Sequence, residues 1–168
     1  DIVSGDFYWF AHSARQEVSV MAVVDCTGHG VPGAFMSLIG HNLLNQIVNE
    51  QGITEPADVL NRLHESITQV LKQDDIHQES KDGMDLALIK YNPQNRLLKF
   101  AGAYRPLYLI RNGQLEEVTA DKFPIGGAQF DLGQHFSQQE IQLQKGDYIY
   151  IFTDGYADQF GGKANKKF

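Results

Sequence analysis

A single cysteine, Cys26, stands in this chain of 168 residues. It excludes a disulfide framework and a Cys-rich zinc site, and it suits a reducing, cytoplasmic compartment. Basic residues are also scarce, with 14 Lys plus Arg against 21 Asp plus Glu and a formal net charge of −7. Without a basic run, nucleic-acid binding is excluded as the main task. No apolar stretch approaches the roughly 20 residues of a membrane span, so no membrane contact is expected within this segment. Signal peptide, low-complexity tract and internal repeat are lacking too. So is an initiator Met: the chain opens inside Asp1-Ile2-Val3-Ser4-Gly5-Asp6, which reads as the interior of a motif. Residues 1–168 are therefore expected to be one domain of a longer protein. Hydrophobic residues make up 42%, too many for disorder and enough for one core.

Phe7 to Phe10 alternates between sides and reads as a strand. Glu17–Val24 is a second strand, apolar enough at its end to be central. A tight loop follows, Asp25-Cys-Thr-Gly-His-Gly-Val-Pro-Gly33. From Ala34 to Asn49 the pairs Leu38/Ile39, Leu43/Leu44 and Ile47/Val48 predict a well-buried helix, stopped by Gly52. Pro56 opens a second helix, with Leu60, Leu63, Ile67 and Val70 on its apolar face. Residues 73–82 read as a loop. Strands are predicted over Met84–Tyr91 and Arg96–Ala101, a hairpin turns at Asn112-Gly113, and a buried strand runs over Tyr148–Thr153. The stretch 119–136 reads as irregular. The resulting order, β-β-α-α-β-β-β-β-β, predicts a layered α+β sandwich with mainly antiparallel sheets.

Three of these strands lead to an aspartate. Residues 2–5 lead to Asp6, Val20–Val24 to Asp25, and Tyr148–Thr153 to Asp154, each with glycine beside or just after it. Aspartate is a common turn residue after a strand, which is the plainer reading. If the three converge, each carboxylate pair at about 4 Å repels by roughly 4 kcal/mol at an effective dielectric of about 20. They then stay ionised together only around cations. Oxygen ligands select Mg²⁺ or Mn²⁺, and a pair of such ions activates water for phosphoester hydrolysis.

Ser4-Gly5-Asp6-Phe7-Tyr8, Asp25 through Ala34, Asp82-Gly-Met-Asp85, Ala101-Gly-Ala-Tyr-Arg-Pro106 and Phe152-Thr-Asp-Gly-Tyr-Ala-Asp158 together resemble the SpoIIE-type serine/threonine phosphatases. These are the bacterial branch of the PPM, or PP2C-like, family. The resemblance implies a four-layer α-β-β-α sandwich holding two Mg²⁺ or Mn²⁺ ions. It implies hydrolysis of phosphoserine or phosphothreonine on a regulatory protein of the anti-sigma-antagonist (STAS) type, by direct attack of metal-activated water. By resemblance, Asp25 bridges both metals, the Cys26 carbonyl is a ligand, and Asp154 holds the first metal. Asp6 lies close to the metal waters, and Asp158 matches a weaker third-metal position. The resemblance also implies a further ligand Asp in a C-terminal Asp-Asp pair. This sequence has no such pair, so the domain is expected to lack its C-terminal segment. The alternative function is a pseudophosphatase that binds a phosphoprotein without turnover. The branch commonly serves as the cytoplasmic output of a larger sensor, and a homodimer through residues 33–72 is plausible.

Other residues leave alternatives open. His29 is either a general acid or phosphate contact, or a loop histidine without a proton role. Arg105 either orients a phosphate or forms a structural ion pair. Asp82 reads as a turn residue, and Asp85 as either a strand residue or one that supports the ligands from behind, not as a direct ligand. A cysteine-phosphatase loop would need Arg six positions after Cys26, where Pro32 stands.

Overall fold

The computed structural model describes residues 5–71, 82–127, 134–155, 160–161 and 166–167. Strands β1 (Phe7–Ser13) and β2 (Val18–Cys26) form an antiparallel pair in which Phe7 faces Val24 and Ser13 faces Val18. Helix α1 (Gly30–Leu44) runs on into a π-helical segment, Asn45–Glu50, and ends before Gly52, whose φ is +72°. Helix α2 (Pro56–Val70) starts on proline, whose missing N–H costs nothing in a first turn.

Strands β3 (Gly83–Asn92), β4 (Leu97–Ala103), β5 (Leu107–Arg111) and β6 (Gln114–Val118) follow. The last two are joined by Asn112 and Gly113, at φ +52° and +75°, the turn that sequence predicts. Then come β7 (Ile125–Gly126), β8 (Gln139–Gln142), β9 (Tyr148–Tyr150), β10 (Phe160–Gly161) and β11 (Lys166–Lys167).

The larger sheet has the order β1-β2-β3-β4-β8, with β7 on the start of β3. The smaller sheet is β6-β5-β9, and β10 pairs with β11. Among the described residues these strands pair antiparallel throughout, with two isolated parallel bridges, Leu86 to Tyr104 and Ala103 to Asp121. Alternation along the central strands divides the core in two. Trp9, Val20, Ala22, Val24, Leu86 and Leu88 point to the helices, where Leu44, Ile47, Leu60, Leu63 and Ile67 bury them. Ala87, Leu98 and Phe100 point the other way and meet Leu107 and Leu109 of the smaller sheet. Fully burying an aliphatic or aromatic side chain contributes roughly 1.5–3 kcal/mol. Among the described residues both helices pack on the larger sheet, giving layers of helix, sheet and sheet. No helix among them is long and apolar enough to cross a membrane.

Three elements differ from their sequence reading. Helix α1 buries Gly33, Met36, Gly40 and Leu44 but leaves Val31, Phe35 and Leu38 exposed, so only one of its faces is covered. The strand predicted over 148–153 is shorter and lies at a sheet edge, with Tyr148 63% exposed. Within the stretch expected to be irregular, Ile125 is fully buried and Gly126 donates its N–H to Nδ1 of buried His64 at 3.0 Å.

A polar staple ties the start of α2 to the sheet. Lys90 Nζ donates to Glu55 Oε1 and Thr54 Oγ1, each at 2.9 Å. Lys99 Nζ and Gln138 Nε2 both donate to Glu55 Oε2 at 3.0 Å. Burial opposes ionisation of Glu55, but these donors outweigh it and hold its pKa down at about 2. A depressed carboxylate pKa adds stability above the unfolded value of about 4.3, and that stability is lost as pH falls towards 2. Glu55→Gln should therefore destabilise the protein at pH 7 by about 1–2 kcal/mol, since Lys90 loses its charged partner. It should also flatten the acid side of the stability profile between about pH 4.5 and 2. Urea unfolding across that range checks both.

Candidate active site

Strand ends, glycines and one arginine build the site. Asp25 is the penultimate residue of β2, and the β2–β3 register sets it directly opposite Asp85. Residues paired in this way share a face with side chains in contact range, and like charges there repel. The loop after β2 then folds back against the start of the chain. A Cβ on Gly5 would lie 2.9 Å from the Cys26 carbonyl oxygen and 3.0 Å from that of Gly28. One on Gly33 would lie 2.7 Å from the Gly28 oxygen. Only glycine fits these crossings, and Gly28 itself sits at φ +86°. Thr27 clips the loop to β3: its N–H donates to Gly83 O at 3.0 Å, and its hydroxyl accepts the Gly83 N–H at 3.0 Å.

Asp154 arrives on the segment after β9. The turn before that strand is held by Arg111, which donates to Asp147 at 2.6 Å. Next to Asp154, Thr153 Oγ1 donates to Asp6 Oδ2 at 2.7 Å. Gly155 packs so closely that a Cβ would come within 2.8 Å of the same oxygen. Asp6 in turn hydrogen-bonds Asp25. The carboxyl groups of residues 6, 25 and 154, far apart in sequence, thus meet at one end of the sheets.

Arg105 lies among them. Its Nη2 donates to Asp25 Oδ2, and to Asp154 Oδ2 at 2.7 Å, and lies 3.5 Å from Asp85 Oδ2. One guanidinium thus faces three carboxyl groups, of Asp25, Asp85 and Asp154, with Asp6 beside Asp25. The imbalance is felt most at Asp25. Burial, then the charges of Asp6 and Asp154, raise its pKa to about 7 against the pull of Arg105, and the protonated form donates to Asp6. Burial raises Asp85 as well. Burial and the charges of Asp25 and Asp6 push the Cys26 thiol up to about 12, so it is no thiolate nucleophile.

The donor set is hard oxygen with excess negative charge, which fits Mg²⁺ or Mn²⁺ rather than zinc. Among the described residues, no group of three His, Cys, Asp or Glu side chains could hold a metal ion as arranged. Asp25 and Asp154 grip Arg105 Nη2 instead, and that nitrogen marks a point where these two carboxylates already hold positive charge. His29 is exposed at the N-cap of α1 and makes no capping hydrogen bond. Asp158 lies outside the described residues. Asp85 and Arg105 are the members that sequence reasoning placed at the margin.

Two antiparallel sheets with helices on one flank and an acidic cluster at the strand ends define a PP2C-type phosphatase fold. The model of the family Stage II sporulation protein E (SpoIIE) matches residues 16–168, and the chain belongs to that family. Among solved structures it is similar to the SiaA-PP2C domain of Pseudomonas aeruginosa. There the TM-score is 0.82 at 29% identity, over 99% of this chain and 62% of that one. It is also similar to the PP2C phosphatase domain with a regulatory-domain fragment of SpoIIE from Bacillus subtilis. That match has a TM-score of 0.72 at 24% identity, over 94% of this chain and 43% of that one. RsbX in complex with magnesium matches with a TM-score of 0.64 at 17% identity, over 91% of this chain and 67% of that one. The chain thus spans less than two thirds of the first two. No curated protein sequence matches it.

The raised pKa of Asp25 has a consequence for stability. The folded state binds the proton more tightly than the unfolded state, whose Asp titrates near 3.9, so stability falls as pH rises from about 4 through 7. In protein freed of divalent ions, Asp25→Asn should raise stability at pH 8 by on the order of 1 kcal/mol, allowing for solvent screening, and by nothing near pH 4. Melting temperatures of both proteins at the two pH values test this.

Proposed function

We propose that this domain is a divalent-metal-dependent protein serine/threonine phosphatase. The observation that carries the reading is the meeting of Asp25 and Asp154 on one positive point, with Asp6 hydrogen-bonded to Asp25. In this reading Asp25 and Asp154 hold two Mg²⁺ or Mn²⁺ ions together with the Cys26 carbonyl. Bound there, such ions would supply an activated water and offset the charge of the phosphoryl group. Asp6, held by the Thr153 hydroxyl, would accept a hydrogen bond from a water at this position and orient it. Family membership and the magnesium of RsbX support the metal. Asp158 joins the set as a weaker metal position, and His29, exposed beside the loop, contacts the phosphate or supplies the leaving oxygen's proton.

An open groove of about 380 Å³ supports a protein substrate. It starts at Asp6 and Thr153 and runs along Phe7, Tyr8, Val23 and Phe152. Aromatic walls of this kind suit peptide flanking a phosphorylated residue better than a small sugar or nucleotide phosphate. A phosphorylated regulator of the STAS type is the substrate proposed, with the domain acting as the cytoplasmic output of a larger sensor. Arg105 seated in the cluster favours the second reading, a pseudophosphatase that binds a phosphoprotein without turnover.

Hydrolysis of p-nitrophenyl phosphate and of a phosphoserine peptide, with and without Mn²⁺, separates the two. Turnover should require Mn²⁺ and favour the phosphopeptide. Asp25→Ala and Asp154→Ala should each lower kcat/KM about 10²-fold or more, as expected when a group that stabilises transition-state charge is lost. Full activity in Asp25→Ala would sink the metal mechanism. Mn²⁺ binding with no turnover of either substrate would favour the pseudophosphatase.

A further inference from the structure

We propose that Arg105 is a built-in counter-ion that competes with divalent cations for Asp25 and Asp154, so that loading the site requires its guanidinium to swing out. This rests on the reading of those two aspartates as cation ligands. Three observations support it.

First, the oxygens that Arg105 Nη2 takes, Oδ2 of Asp25 and Oδ2 of Asp154, are oxygens an incoming ion would need. Nitrogen and metal cannot share that point.

Second, the backbone that carries Arg105 is held in place. Tyr104, the preceding residue, is held at φ +59°, a left-handed conformation unusual for a residue other than glycine. Its N–H donates to Asp121 O at 2.9 Å, and the Asp121 N–H returns to Gly102 O at 3.0 Å. A Cβ on Gly102 would come within 2.4 Å of the Arg105 carbonyl oxygen, so the turn tolerates no bulk there. The chain therefore aims Arg105 at the carboxylates from a rigid base, and any exchange with an ion falls to the side-chain torsions.

Third, the inward pose is incompletely satisfied. Arg105 Nε is buried without a hydrogen-bond partner. A buried unmade hydrogen bond weakens the pose, so charge rather than fit holds the guanidinium in place. A doubly charged ion offers the carboxylates that Arg105 faces twice the neutralisation that Arg105 does.

Mutual exclusion has an arithmetic consequence. If the inward pose fills about 90–99% of the population without metal, the apparent metal Kd is raised about 10- to 100-fold. By reciprocity, cation binding drives Arg105 outward by the same factor.

Calorimetric titration of ion-free protein with Mn²⁺ tests this on wild type, Arg105→Met and Asp25→Asn. Arg105→Met should bind Mn²⁺ about tenfold more tightly than wild type. It should also melt at a lower temperature without ions, and gain more than wild type when Mn²⁺ is added. Equal or weaker binding by Arg105→Met, with binding lost in Asp25→Asn, overturns the role of Arg105 and leaves the cation site standing. Absence of Mn²⁺ binding in both wild type and Arg105→Met overturns the two together. Should Arg105→Met fail to fold, nuclear magnetic resonance of wild type answers the question. Adding Mg²⁺ should shift the Arg105 Nε–H signal and speed its exchange with water severalfold. A stationary Arg105 signal beside a moving Asp25 amide overturns the competition alone. If neither moves, the cation site falls as well.

Discussion

Asp25 and Asp85 face each other across β2 and β3, and the chain adds Asp6 and Asp154 to the same end of the sheets. Carboxylates opposed in this way repel, and the strands that carry them are too well packed to move apart. Val24 and Leu86, next in line behind the acidic pair, are completely buried between sheet and helices. The repulsion is thus built into the register of the sheet and cannot be relieved by local relaxation. It has to be met by protons, by Arg105 or by cations. Burial raises the pKa of Asp25 and Asp85, the charges of Asp6 and Asp154 add to it at Asp25 and that of Asp154 at Asp85, and Arg105 offsets part of the charge.

Glycine decides how near the acidic segments come. At Gly5, Gly33 and Gly155 an added Cβ would collide with the Cys26 and Gly28 carbonyls or the Asp6 carboxylate. These positions trade side chain for proximity, bringing the first motif, the loop after β2 and the segment after β9 into hydrogen-bond range. Rigidity elsewhere makes the proximity durable. The Glu55 staple ties α2 to Lys90 and Lys99, at a part of the sheet separate from the acidic cluster, and Thr27 locks the loop to Gly83.

What could be read from sequence followed the reach of the physical signal. Alternation over Phe7–Phe10, the apolar run ending at Asp25, Pro56 at a helix start and Asn112-Gly113 are local signals, and the structure has those elements. The convergence was legible at Asp25 and Asp154, because strands deliver side chains to sheet ends; Asp6 stands just before β1, and the strand expected over residues 2–5 lies mostly outside the described residues. Asp85 was not legible, because its importance comes from a pairing register with β2 that no local pattern encodes. Arg105 left two readings open for the same reason: its partners come from β2, β3 and the segment after β9. Strand β8, Gln139-Glu-Ile-Gln142, escaped notice because a mostly exposed edge strand carries little hydrophobic periodicity. The run over 148–153 misled in the opposite direction, since Tyr and Phe at a sheet edge look apolar in sequence yet stay largely exposed. At residues 73–82 and Asp158 the reading extends mostly or wholly beyond the described residues.

The environment that makes Asp25 reluctant to ionise also makes it suited to a doubly charged ion. Low local polarity strengthens every charge interaction in the cluster, repulsive and attractive alike. Each step that lifts its pKa towards 7, through burial or through Asp6 and Asp154, deepens the attraction for a cation placed between them. A solvent-exposed set of aspartates would keep ordinary acidity and hold a cation weakly. Here the apolar strands behind the site and the acids around it act in one direction, and Arg105 stands against them as the group any incoming cation must outcompete.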